Sequence, residues 1–112
     1  MRAEWTTFER TLSRHLEQEE TELLPGFATH DAAEARAILA VHADIRAALL
    51  EIGLGLDLHL LRTEAVQEFV KQLRAHAQRE DATLYDWAHR HLGDDRWQHI
   101  KHSLSLFDNR IM

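Results

Sequence analysis

Apolar residues recur every three or four positions over four stretches of the chain, which is the spacing of helices buried along one side. Pro25 and Gly26 are expected to end the first stretch, since proline cannot continue a helix and glycine favours its end. Asp31, with Glu34 three residues later, is a capping-box-like start for the second. The pattern predicts an all-α, up-and-down four-helix bundle with helix A at about 3–24, helix B at 31–53, helix C at 63–91 and helix D from 94.

The segment between helices B and C is unusually apolar for a loop. Residues 53–62 contain five leucines in ten positions, with Gly53 expected to end helix B. So many leucines would be costly in water, so the segment is predicted to be an apolar return loop, folded back against the bundle.

Polar side chains interrupt the buried stripes at matching places. Helix A carries His15 and Glu19 between Leu12 and Leu23, and helix C carries His76 and Glu80 between Leu73 and Leu84. In helix B a single histidine, His42, occupies a core position. A buried, ionised glutamate with no partner costs several kcal/mol, roughly, so these groups should be paired, protonated or bound to a cation.

Helix geometry predicts that these polar residues meet. With a rise of about 1.5 Å per residue, measured from a turn at Pro25, His15, His42 and His76 all lie about 14–16 Å along the bundle. Glu19 and Glu80 lie together one turn closer to that turn. Three imidazoles therefore share one level and two carboxylates the next.

Composition narrows the chemistry. The 112 residues are predicted to form a single domain, 1–112, without cysteine, which excludes disulfides and thiolate metal sites. A net charge of −6 and no basic cluster argue against a nucleic-acid partner. The sequence has no long apolar run and no signal-like N-terminus, so we expect a cytoplasmic protein that does not associate with a membrane. Nine histidines indicate a metal site.

Facing glutamates and imidazoles inside a bundle can hold two divalent ions bridged by carboxylates, and iron, manganese or zinc suits these donors. The motifs His15-Leu16-Glu17-Gln18-Glu19-Glu20 and His76-Ala77-Gln78-Arg79-Glu80-Asp81, with His42 between them, resemble a hemerythrin-like (HHE cation-binding) domain. The resemblance covers about residues 8–90. It implies a four-helix bundle with a non-haem di-iron centre that binds dioxygen or a related small molecule, with ligands His15, Glu19, His42, His76 and Glu80 and with both glutamates bridging.

The sequence departs from that family in two ways. Members usually carry a further histidine on a helix before the first motif, and the oxygen carriers have a second histidine where this chain has Arg46. His59, in the return loop, is the preferred source of the missing donor, because the chain from Gly53 can span up to about 20 Å. His99 and His102 in helix D are weaker candidates. Tyr85 is not assigned to the metals, whereas Glu20 and Asp81 are candidates to support ligand side chains.

Three functions fit this pattern. The favoured one is a di-iron protein that binds, senses or stores dioxygen, nitric oxide or iron, rather than an enzyme. A di-iron enzyme acting on peroxide or other reactive species is the second. The third is a metal-free helical interaction module whose polar layer sets register. The domain could also form a homodimer, since a loop in place of the family's first helix would expose apolar surface.

Overall fold

The computed structural model describes residues 2–99, and within that range every regular element is helical. The long helix at Ala32–Asp57 packs against both the helix at Arg2–Gln18 and the helix at Thr63–Ala82, which confirms an all-α helical bundle. None of the helices in this part of the chain is long and apolar enough to cross a membrane. The elements are α1 (Arg2–Gln18), a π-helical turn (Glu19–Leu23), α2 (Leu24–His30), α3 (Ala32–Asp57), α4 (Thr63–Ala82), α5 (Leu84–His91) and a helical stretch at 94–99.

The prediction that helix A ends at Leu24 is wrong, because the helical path continues through Pro25 to His30. The π-helical turn makes this possible: Leu24 N–H bonds to the Glu19 carbonyl five residues back. Pro25 then occupies the first turn of α2, where its missing N–H costs little. Gly26 serves packing rather than termination, since a Cβ there would lie 2.8 Å from Trp87 Cη2. The chain reverses at Asp31 instead.

The cap predicted for helix B is confirmed. The Asp31 side chain accepts a hydrogen bond from Glu34 N–H at 3.0 Å at the start of α3. The Glu34 carboxylate turns to α4, where Arg79 donates to it at 2.6 and 2.8 Å. One capping motif thus starts α3 and also ties it to its neighbour.

The predicted end of helix B at Gly53 is also wrong, since α3 continues to Asp57. Gly55 stays helical and allows a close approach, because a Cβ there would lie 3.4 Å from the Cα of Leu61. The connection is therefore only residues 58–62, and it does not fold back as a whole. Leu56 and Leu61 pack against the core, whereas three other leucines are more than half exposed: Leu54, Leu58 and Leu60.

Helix C is interrupted once. Thr83, with φ −120° and ψ −73°, separates α4 from α5, and its hydroxyl donates to the Arg79 carbonyl at 2.8 Å. Helix D is seen as the stretch 94–99, whose Trp97 is buried. The rest of its predicted stripe, Ile100, Leu104, Phe107 and Ile111, lies outside the described residues, as does His102.

Two apolar clusters fill the interior. The first, which we call the turn-side cluster, lies near the chain reversal at Asp31 and contains Leu23, Leu24, Phe27, Ala35, Ile38, Leu84, Ala88 and Trp97. The second, the distal cluster, lies towards the other end of the long helices and contains Leu12, Leu16, Ile45, Leu49, Ile52, Phe69 and Leu73.

A polar layer separates these clusters. Three segments contribute to it: the first helix with its π-helical turn, α3, and α4 with α5. Along each of them, the histidine or glutamate lies between residues of the distal cluster and residues of the turn-side cluster. The polar layer comprises His15, Glu19, His42, His76 and Glu80, all of them buried. Apolar walls on both sides keep water from these groups, which strengthens electrostatic interactions among them.

Candidate metal centre

Four side chains of the polar layer converge on one point. Glu19, His42, His76 and Glu80 each present one donor atom, and these four atoms lie within 4.8 Å of one another. They come from the π-helical turn, α3 and α4. Residues distant in sequence have thus been brought within the space that a shared cation occupies.

His42 lies at the centre of this group and is fully buried. Its Nε2 is 3.2 Å from Glu19 Oε1 and 3.2 Å from Glu80 Oε2. Its Nδ1 is 2.8 Å from Glu20 Oε2, and Arg46 donates two hydrogen bonds to the same Glu20 carboxylate, at 2.7 and 2.9 Å. When Nδ1–H donates to Glu20, the lone pair of the neutral ring lies on Nε2 and faces the other two carboxylates.

The other two histidines each face the glutamate one helical turn away. His76 Nε2 lies 3.0 Å from Glu80 Oε2, and His15 Nε2 lies 3.2 Å from Glu19 Oε2. The rings of His42 and His76 meet edge to face with centroids 5.0 Å apart. The layer therefore surrounds its carboxylates with imidazole nitrogens from three directions.

The ionisation of these groups is strongly coupled. Burial opposes a charge on His42, yet Glu19, Glu80 and Glu20 outweigh it and raise the pKa of His42 to about 10. Burial would also raise the pKa of Glu19, but contacts with His15 and His42 reverse this and hold it below its ordinary range. For Glu80, burial reinforced by the charge on Glu19 raises the pKa despite its histidine contacts. In the metal-free protein, a protonated His42 therefore lies between the carboxylates of Glu19 and Glu80.

The donor set fits a metal cation. His76 is buried; its Nδ1 makes no hydrogen bond within the described part of the chain, and its Nε2 lies 3.0 Å from Glu80 Oε2 without the geometry of a hydrogen bond. Leaving such a buried polar atom unsatisfied costs about 1–3 kcal/mol, and a bound cation would remove that cost. The same cation would neutralise two carboxylates that now face each other across the layer.

A family comparison agrees with this geometry. The model of the hemerythrin HHE cation-binding domain matches residues 1–88, which include the whole polar layer. The chain belongs to this family. Comparisons with curated proteins and with solved structures gave no match. The hemerythrin-like resemblance predicted from the two motifs is therefore confirmed, and the buried cluster is one that could hold a metal.

The structure does not bring His59 to the centre of this hemerythrin-like chain. Beyond His42, α3 continues to Asp57, so its end lies roughly 22 Å from His42 along the helix axis. Two further residues span at most about 7 Å, too little for a return. His59 is instead exposed, in a left-handed backbone conformation with φ 57°. His99 is exposed on the stretch 94–99 and also lies outside the cluster.

One side chain was missed by the sequence prediction. The Tyr85 hydroxyl donates a hydrogen bond to Glu19 Oε2, the same oxygen that faces His15. Five residues after Glu80 on an unbroken helix, a side chain would point well away from the core face. The interruption at Thr83 changes that direction. Hydrophobic periodicity alone carries no signal for such an interruption, although a threonine that bonds back to the preceding turn is a known cause of helix bending.

Glu20 and Asp81 were predicted to support the histidines of the layer. Glu20 contacts Nδ1 of His42, whereas no contact of Asp81 with a histidine is seen in the described residues. Glu20 contacts His42 as described and keeps a lowered pKa, with burial opposing and the Arg46 hydrogen bond causing the fall. Asp81 is mostly exposed; burial, and then the charge on Glu19, raise its pKa. Glu20 is therefore the carboxylate that orients the imidazole of His42.

Proposed function

We propose that this hemerythrin-like chain is a non-haem di-iron protein, an up-and-down four-helix bundle, that binds dioxygen or a related small molecule. The observation that carries the proposal is the convergence of four buried donors within 4.8 Å, in a layer closed by apolar clusters on both sides. Bound iron would supply the reversible redox chemistry that no side chain of the layer offers. The residues that would hold it are His15, Glu19, His42, His76 and Glu80.

The carboxylate contacts support two cations rather than one. Glu19 directs Oε1 towards His42 and Oε2 towards His15, so its two oxygens face different imidazoles. Glu80 directs one oxygen towards both His42 and His76. A carboxylate placed between separate nitrogen donors is the arrangement of bridged di-metal sites in helical bundles.

The donor types support iron. Imidazole with carboxylate suits iron, manganese and zinc, and the chain contains no cysteine that would favour soft metals. Glu20 and Arg46 fix the central imidazole so that one nitrogen faces the cation, which is the role of outer carboxylates in metal sites. Apart from its metal donors, the layer offers no separate acid, base or nucleophile, which favours binding over turnover.

Loading the metal-free protein with ferrous iron under anaerobic conditions, followed by exposure to dioxygen, tests this proposal. We expect about two irons per chain, and an absorption change on oxygenation that reverses when oxygen is removed. Nitric oxide should give its own spectrum with the same iron content. Less than one iron per chain would overturn the di-iron assignment. Sustained peroxide consumption, lost in His76→Ala, would instead favour an enzyme.

A further inference from the structure

The two oxygens of Glu19 divide the polar layer into two donor groups. On one side, Oε1 lies 3.2 Å from Nε2 of His42, which belongs with His76 and Glu80 to the four-residue cluster. On the other side, Oε2 contacts His15 Nε2 at 3.2 Å and accepts the hydrogen bond from the Tyr85 hydroxyl. Histidine, carboxylate and phenol oxygen thus meet at a second point, which shares Glu19 with the four-residue cluster and adds His15 and Tyr85.

Tyr85 is held in this position by its surroundings. The change of direction at Thr83 turns the start of α5 towards the layer, and the Tyr85 ring packs on the turn-side cluster. Its ring centroid lies 6.3 Å from that of Trp97. Leu84 beside it is fully buried, which fixes the backbone from which the phenol extends. The phenol oxygen therefore reaches Glu19 from a packed aromatic ring and not from a mobile surface side chain.

We propose that Tyr85 is a metal ligand, and that its phenolate completes the second cation position together with His15 Nε2 and Glu19 Oε2. This inference rests on the proposed di-iron function. On metal binding the phenol O–H bond breaks, its proton leaves to solvent, and the oxygen lone pair forms the bond to the cation. Phenolate oxygen is an established iron ligand in proteins, and it suits ferric iron, a hard cation.

The alternative role for Tyr85 is a neutral phenol that only donates to Glu19 and orients it. The two roles differ in a property that metal affinity alone does not reveal. A phenolate bound to ferric iron gives a charge-transfer absorption in the visible range and matching tyrosinate vibrations, whereas a hydrogen-bonded phenol gives neither. Tyr85 is the single tyrosine in the sequence, so any such signal must come from it.

The experiment compares the ferric, metal-loaded protein with Tyr85→Phe by visible absorption, resonance Raman spectroscopy and iron analysis. Phenylalanine retains the ring that packs near Trp97 and removes only the hydroxyl. We expect the wild-type protein to show the tyrosinate signature and Tyr85→Phe to lose it completely. Tyr85→Phe should also bind the second iron at least tenfold more weakly while retaining the first. The control, His59→Ala, changes an exposed loop residue and should match wild type in both measurements.

The outcomes separate this inference from the function beneath it. If wild-type protein binds two irons with no tyrosinate signature, Tyr85 is not a ligand, although the di-iron function stands. The same conclusion follows if Tyr85→Phe keeps the signature and the iron content of wild type. If wild-type protein binds no iron at all, the di-iron function fails and the ligand role of Tyr85 fails with it.

Discussion

Glu80→Gln tests whether the buried carboxylates hold a cation. Glutamine keeps the shape of the side chain but removes the charge that lies 3.2 Å from His42 Nε2 and 3.0 Å from His76 Nε2. In the metal-free protein the loss of unfolding free energy should be modest, about 1 kcal/mol, because burial already disfavours the ionised form of Glu80. The large effect should appear only when metal is present.

The size of that effect follows from mass action. A cation present at 100 times its dissociation constant stabilises the folded state by about 2.7 kcal/mol. If the loss of the Glu80 charge weakens binding about 100-fold, the same metal concentration contributes only about 0.4 kcal/mol. For a domain of this size, the difference lowers the metal-dependent rise in melting temperature by roughly 10 °C.

Thermal unfolding followed by circular dichroism, with and without ferrous iron under anaerobic conditions, gives the measurement. Glu68→Gln is the matched control, since it makes the same change at an exposed position of α4 and should keep the full rise. A Glu80→Gln protein whose melting temperature rises as much with metal as that of wild type would show that Glu80 does not bind the cation.

Three other perturbations probe the surroundings of the site. Glu20→Gln should weaken metal binding by about 10–100-fold in a titration, because it removes the carboxylate that orients His42. The control Glu22→Gln changes an exposed residue and should keep the affinity of wild type. Equal metal affinities of Glu20→Gln and wild type would rule out the orienting role of Glu20. His59→Ala should leave iron content unchanged, and a loss of iron would return that residue to the site. The raised pKa of His42 predicts that stability and metal affinity change in opposite directions with pH. The stabilising effect of protonated His42 on the metal-free protein is complete below about pH 6.5 and is lost as the pH rises through about 10. Metal affinity instead rises with pH, because the cation displaces the proton. Urea unfolding and metal titration between pH 7 and pH 10 measure both trends, and a metal-free stability that is constant over this range would contradict the first.

The helices and the polar layer could be predicted because both depend on periodic spacing. His15 and Glu19 repeat the spacing of His76 and Glu80, and burial of such groups demands partners wherever the helices pack. The predicted level of His42 was wrong by about one turn, because the heights were measured from Pro25 whereas the chain reverses at Asp31. His42 contacts Glu19 and Glu80 instead of lying one turn away from them beside His15. The residues still meet, because a shift of one turn along a helix keeps the same face towards the core.

The exceptions arose where tertiary contacts override local preference. Proline and glycine were expected to end helices, yet Pro25 follows a π-helical turn and Gly55 stays helical, where it admits Leu61. His59 could not reach the layer once α3 continued past Gly53. Tyr85 reaches Glu19 only because Thr83 interrupts the helix, and no periodic pattern marks that interruption.

In our proposal, the polar layer between the two apolar clusters holds cations. Metal analysis of the purified, iron-loaded protein, together with that of His42→Ala, tests it most directly, since His42 contacts both buried glutamates. We expect about two irons per wild-type chain and a clear loss of iron in the variant. Wild-type protein with well under one metal ion per chain, or a His42→Ala protein that folds and retains full metal, would contradict it.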